Sequence, residues 1–347
     1  MKLSAAMIVK NESRLLPQCL DSIKDYVDEI VVVDTGSTDN TMEIARSYGA
    51  TIYEHPWQND FSLHRNQSIG YATGDWFLII DADEQFAPIQ VSKEELKKRF
   101  EGLPENVYGL LVTLNSIDRN GHTTATSQSL RFFRNHIGVK YEGYIHNRVV
   151  LPEGGHGAPS DFVMYHYGYD LDEKTMEAKF ERSSSLLYKR AKENPEDYTT
   201  YYFLCNLLAS HEKWDEAIEY GARCIALLPP ERYIDKKAPY VSLYHTVGMI
   251  YCARLNNARE ALRWIANGLW LFPNNIDLNY DMLHIGVFLN KPGKRGNKEL
   301  FKHMRQCGER YLKLYDLYTK QPHLAYCQAF LTMNAESKGR VEGWLKR

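Results

Sequence analysis

Short apolar runs alternate with amphipathic stretches through residues 1–84, and that rhythm leaves few folds open. Leu3–Val9, Glu29–Asp34, Thr51–Tyr53 and Trp76–Ile80 read as strands. Between them, Leu16, Leu20, Ile23 and Val27 recur at helical spacing within 15–27, and 42–48 and 61–72 read as further helices. Gly36-Ser37-Thr38-Asp39-Asn40-Thr41 supplies turn and N-cap residues before the second helix, and Thr73-Gly74-Asp75 closes the third. Strands and helices in this order imply an α/β domain whose sheet is mostly parallel, with right-handed crossovers.

The fourth run ends abruptly in Asp81-Ala82-Asp83-Glu84. Acids at the carboxyl end of a buried strand stand where an open α/β sheet places its ligands. If the chain stays extended, Asp81 and Asp83 share a face and could together hold a hard divalent cation with positions left for phosphate oxygens. An isolated D-x-D also reads as a plain acidic strand exit; the ordered elements before it favour the ligand site. After Glu84 the rhythm changes. Residues 93–100 read as a helix, and 108–114, 130–134, 145–151 and 162–165 as strands, an antiparallel or mixed extension offering a surface for a second substrate. Arg131 and Arg134 are read as alternating on one strand face, where they could meet phosphate or an anionic acceptor.

From about Leu171 the pattern is helix after helix. Trp214-Asp215-Glu216-Ala217-Ile218 and Asn257-Ala258-Arg259-Glu260-Ala261-Leu262 both carry Glu-Ala-aliphatic, and Pro195/Pro229 and Pro239/Pro273 each stand 34 apart. That period resembles the tetratricopeptide helix–turn–helix repeat. The second unit needs one extra residue in its turn, an insertion around 231–238 separates the units, and a third unit from Asn275 is interrupted at Lys291-Pro292-Gly293-Lys294-Arg295-Gly296. The alternative is a plain helical bundle.

A formal charge of -2 argues against a broad nucleic-acid binder. Six singly scattered cysteines favour reduced thiols over a disulfide framework or zinc site. Lys10-Asn11-Glu12 cuts short the apolar amino-terminal run, so no signal peptide is read, and no stretch is long enough to span a bilayer. The expectation is a cytoplasmic protein.

Four motifs in order then carry a resemblance: Ala6-Met7-Ile8-Val9-Lys10-Asn11-Glu12, Val31-Val32-Val33-Asp34-Thr35-Gly36-Ser37-Thr38-Asp39, Trp57-Gln58-Asn59-Asp60-Phe61-Ser62-Leu63-His64-Arg65-Asn66, and Asp81-Ala82-Asp83-Glu84. Together they resemble a family 2 glycosyltransferase with the GT-A fold, a Rossmann-like mixed sheet flanked by helices. Tyr141-Glu142-Gly143-Tyr144-Ile145-His146-Asn147 and Tyr165-His166-Tyr167-Gly168-Tyr169, followed by tetratricopeptide-like helices, are similar to a bacterial subgroup. That subgroup includes lipopolysaccharide-core glucosyltransferases and bacteriocin S-glycosyltransferases. The resemblance implies a catalytic domain over 1–170 and a helical domain over 171–347.

It further implies a metal-dependent, inverting transfer of a hexose from a nucleotide-diphospho-sugar, of the UDP-glucose type, to a peptide side chain or a glycan. Ile8, Val9, Asn11 and Glu12 would line the base and ribose pocket, with Asp34 accepting a hydrogen bond there. Arg65 would lie near the diphosphate, with Asp60 and Asn66 nearby. Asp83 would bind Mn²⁺ or Mg²⁺ directly, Asp81 and Ala82 would face the sugar-nucleotide, and His166 would be a distal metal ligand. Glu142 and His146 stand nearest the expected acceptor side as candidate bases. Relatives often carry an acid after this histidine; here the residue is Asn147. The helical repeats would hold the acceptor or form a homodimer. A reading from another class is a tetratricopeptide adaptor with a degenerate, non-catalytic transferase half. Survival of Asp34, Asp81 and Asp83 speaks against it.

Overall fold

The computed structural model describes residues 1–88, 92–167, 173–229, 239–289, 298–320 and 334–346. They divide into two compact units, Met1–Lys179 and Phe180–Arg347.

The first unit is built on an eight-stranded mixed sheet. In chain order its strands are β1 (Leu3–Val9), β2 (Glu29–Asp34), β3 (Thr51–Glu54), β4 (Trp76–Ile79), β5 (Glu84–Phe86), β6 (Val107–Ile117), β7 (Thr123–Arg134) and β10 (His156–His166). Across the sheet they stand β3-β2-β1-β4-β7-β6-β10-β5. The β3-β2-β1-β4 half is parallel, as the alternation with helices requires. Beyond it, β7 runs antiparallel to both β4 and β6, β10 is parallel to β6, and β5 is antiparallel to β10. Helices α1 (Leu16–Ile23), α2 (Thr41–Ser47), α3 (Phe61–Tyr71) and α4 (Lys93–Glu101) connect these strands. Leu16, Cys19, Leu20 and Ile23 of α1 are all buried, one face of one helix set against the sheet. The sheet has a core on each side: Met7, Val32, Leu78 and Phe132 belong to one, and Ala6, Phe77, Ile79 and Phe133 to the other.

The expected strand over 145–151 shrinks to β9 (Arg148–Val150), which pairs only with β8 (Lys140–Glu142) in a separate two-stranded sheet. Gly143 and His146 between them adopt left-handed backbone, φ 100 and φ 47, which no strand accommodates. The strand expected at 130–134 begins earlier, at Thr123, through residues whose side chains are polar on both faces.

The second unit is helical: α5 (Glu173–Glu193, which begins in the first unit), α6 (Tyr198–Ser210), α7 (Trp214–Leu227), α8 (Ser242–Met249), α9 (Ala258–Leu271), α10 (Ile276–Leu289), α11 (Lys298–Lys320) and α12 (Ala335–Leu345). Small residues let the repeat helices approach. A Cβ on Gly221 would meet Val247 Cγ2 at 2.8 Å, and one on Gly248 would meet Ile265 Cδ1 at 2.7 Å. The extra residue of the second repeat is taken up by a π-turn over Ile250–Arg254, directly after α8. The segment 231–238, the interruption at 291–296, Gly168, Tyr169 and Cys327 lie outside the described residues.

Candidate active site

The carboxyl ends of β1, β2 and β4 bring the sequence motifs together. Two loops are stitched side by side above β1 and β2. The Asn11 backbone N–H donates to Ser37 Oγ at 2.9 Å, Asn11 Oδ1 accepts from the Thr38 N–H at 2.7 Å, and the Glu12 N–H donates to Thr41 Oγ1 at 2.8 Å. Asn11 is left-handed at φ 56, so the turn holds its amide in place. Val9 is buried, Ile8 half-buried. Asp34 ends β2 almost fully buried. Its Oδ1 accepts from the Gly36 and Ser37 N–H groups, both at 2.9 Å, while its Oδ2 is buried without a hydrogen-bond partner. An orphaned carboxylate oxygen at this edge is a strong acceptor held ready for a donor.

The Asp-Ala-Asp-Glu run does not stay extended. The Glu84 N–H donates to the Asp81 carbonyl at 2.9 Å, closing a tight turn over 81–84, so the two aspartates do not share one strand face. The turn divides their duties. Asp81 receives both hydrogen bonds of the Arg65 Nη2, at 2.8 and 3.0 Å, and stands 3.7 Å from Arg131 Nη1. Burial pushes its carboxyl up, but the Arg65 and Arg131 charges outweigh that and hold it below the usual range. Asp83 turns the other way, with Oδ2 3.3 Å from His166 Nε2, and its carbonyl accepts from the Tyr167 N–H at 2.8 Å. The hydrogen bond to Asp83 raises the His166 pKa against the opposing effect of burial. Ala82 is buried between them.

Glu84, which the sequence reading left without a role, is the keystone of the turn. One oxygen accepts from the Asp81 N–H at 2.9 Å and the other from the Arg131 guanidinium. Burial pushes its carboxyl up to about 7. Its being the third acid of one short run was the available signal. Glu12 is likewise pushed up to about 7, first by burial and then by the Asp83 charge.

Arg131 and Arg134 serve opposite sides of β7. Arg131 is buried against Asp81 and Glu84, whereas Arg134 lies over the Trp76 ring at 4.9 Å. Positions three apart cannot share a strand face, and a register shift opposite Leu110 and Leu111 leaves Arg131 as the extra residue of a bulge.

The other expected residues are occupied within the protein. Asp60 caps α3, its Oδ1 accepting from the Leu63 N–H at 3.0 Å. Asn66 pairs both ways with the Tyr141 backbone, at 2.9 and 2.8 Å, and so ties α3 to β8. Arg65 packs 5.4 Å from the Tyr141 ring centre. A cavity of about 430 Å³ opens beside these groups, lined by Arg65, Arg131, Tyr141, Asn147 and Gln128 among others. Asn147 lines it; Glu142 and His146 do not. Glu142 forms surface ion pairs with Lys140 at 3.0 Å and Arg148 at 3.1 Å. Hydrogen bonds from these two hold its carboxyl below the usual range, the wrong direction for a base. His146 is exposed.

The sequence comparison decides what kind of domain carries this site. Residues 4–150 match the family described as Glycosyl transferase family 2. They form a family 2 glycosyltransferase domain. The sheet and its flanking helices are the GT-A arrangement that the resemblance implied, and the helical unit follows it. A TPR repeat-containing protein of Synechococcus elongatus is 35% identical over 216 residues, 60% of this chain and 51% of that protein. The SPbeta prophage-derived glycosyltransferase SunS of Bacillus subtilis is 31% identical over 229 residues, covering 64% and 53%. The chain thus spans about half the length of these curated relatives. Among solved structures, S. aureus TarS is similar at 16% identity and a TM-score of 0.39, over 75% of this chain and 55% of that one. Among the described residues no helix of the transferase domain or of the helical unit is long and apolar enough to cross a membrane.

Proposed function

We propose that the chain is an inverting glycosyltransferase that moves a hexose from a nucleotide-diphospho-sugar, of the UDP-sugar type, to a peptide side chain or a glycan. The observation that carries this reading is the pairing of Asp83, inside the family 2 match over 4–150, with His166 beyond its end, one carboxylate and one imidazole 3.3 Å apart at the ligand end of the sheet. Oxygen with one nitrogen suits Mn²⁺ or Mg²⁺, and the Glu12 carboxyl, raised in part by the Asp83 charge, adds a repulsion that a cation there would relieve. Asp83 and His166 would hold the ion, which would supply positive charge to a departing diphosphate.

The chain's own groups do the rest. Ile8, Val9, Asn11 and Glu12 frame the base and ribose, and the orphaned Asp34 oxygen accepts from one of them. Arg65 holds Asp81 at the sugar-nucleotide side and faces the cavity with Arg131. The acceptor's oxygen or sulfur forms its bond to the anomeric carbon as the bond to the diphosphate breaks. The electron pair leaves with the nucleoside diphosphate, and the acceptor proton passes to a base or to solvent. The helical unit helps to hold the acceptor or pairs two chains. The buried, unpaired state of Cys19, Cys205, Cys224, Cys252 and Cys307 fits a reducing, cytoplasmic setting.

The test is Asp83→Ala, assayed for sugar transfer and for hydrolysis of UDP-glucose. Loss of both with unchanged circular dichroism is expected. Full activity in this variant, or in excess EDTA, overturns the metal role.

A further inference from the structure

β7 is paired on both edges for only part of its length. Its ladder with β4 runs through Arg134, Phe133 and Phe132 and stops at Leu78. β4 then leaves the sheet at Ile80 and turns through 81–84 into β5, whose ladder partner is β10. On its other edge β7 stays paired with β6 back to Thr123. The β4-side edge from Thr123 to Leu130 therefore has no strand beside it among the described residues. Residues Thr123 to Gln128 are all exposed.

We infer that this free edge of β7 captures the acceptor as an added β-strand, so that the acceptor is a polypeptide in extended conformation. The inference rests on the transferase reading. A strand edge offers alternating backbone N–H and C=O groups, and the ligand that matches that pattern is another peptide backbone. Sheet proteins usually blunt such edges with Lys, Pro or inward charges. Thr-Thr-Ala-Thr-Ser-Gln-Ser-Leu over 123–130 has none of these. Its side chains instead bond back to β6, Thr126 to Asn115 and Gln128 to Thr113, both at 2.8 Å, which leaves the outer edge clear.

The position of the open lane supplies the second argument. It continues the line of β4, so its inner end begins where the 81–84 turn departs. Gln128, Ser129, Leu130 and Arg131 border both this edge and the cavity shared with Arg65. A strand laid there, about 25 Å long for eight residues, presents the side chain at its inner end to that cavity. Backbone pairing fixes the register, and the cavity selects the residue that is modified.

The experiment uses the full chain with UDP, Mn²⁺ and a pool of Ser-, Thr- and Cys-containing peptides about eight residues long. A second pool is identical but N-methylated at alternate positions. Amide hydrogen exchange should slow at alternate residues of 123–130 with the first pool. Methylation should weaken this, and transfer from UDP-glucose, by about tenfold or more, the loss expected for a few backbone hydrogen bonds. No protection of 123–130 by either pool, or equal protection by both, overturns the inference. So does protection that appears without peptide and grows with protein concentration, which would assign the edge to a second copy. Hydrolysis of UDP-glucose by the same preparation separates the two readings. Its absence sinks the transferase reading, whereas hydrolysis with an unresponsive β7 sinks only the added strand.

Discussion

Glu12 shows what a single side chain in this acid-rich corner costs and gains. Its carboxyl is half buried beside Asp83 and stands at about 7, above the ordinary value of 4.5. Between those values the folded chain binds more protons than the unfolded one, so stability falls as pH rises through that window. In EDTA, the thermal midpoint should therefore drop between pH 5 and pH 7.5, and Glu12→Gln should flatten that drop. An equal slope in the variant would assign the effect elsewhere. The residue itself was legible, since it ends a recognisable motif. Its environment was not: nothing near Glu12 in the chain announces Asp81 and Asp83, which only the parallel pairing of β1 with β4 brings alongside.

At the scale of elements, the buried parallel strands were readable because continuous apolar runs leave little else to do. β5 and the outer half of β7 were not. The first is a three-residue strand of mixed polarity, and the second is polar on both faces, so neither carries the period-two signal. The 81–84 turn was misread for a related reason: an extended D-x-D and a turned one have the same letters, and only Glu84, reaching back to the Asp81 N–H, selects between them. The opposite end of the sheet is held more simply. Glu29 accepts from Ser4 Oγ, from the Thr73 N–H at 2.8 Å and from Lys2 Nζ at 3.1 Å, joining β1, β2 and the entry to β4. Gly74 sits in that knot, where an added Cβ would lie 2.6 Å from Ser4 Oγ and 2.8 Å from two backbone carbonyls. Backbone cannot step aside as a flexible side chain can. Gly74→Ala should cost about 1–3 kcal/mol, read as a lower urea midpoint; an unchanged midpoint would show that the β1–β4 edge relaxes freely.

Across the whole molecule, the division into an α/β unit and a helical unit was visible where the strand rhythm ends and the proline spacing begins. Each unit has its own buried cores. The repeat period survived translation into structure because it reflects helix packing, with Gly221 and Gly248 at close crossings. The surplus residue of the second repeat was visible as an offset, but its location was not. Inserted into a regular helix, one residue turns everything after it by about 100°, which would swing Ala261, Ile265 and Leu269 of α9 out of their buried positions. The wider loop at Ile250–Arg254 absorbs it, with the Leu255 N–H reaching the Ile250 carbonyl at 3.1 Å. Deleting Ala253, which is exposed within that loop, should leave the helical signal and urea midpoint near wild type. Deleting the equally exposed Ala266 in mid-α9 should unfold the repeats. If the two deletions prove equally harmful, the loop is no buffer. A single surplus residue is thus parked as a local change of pitch and is never passed downstream as an error of phase.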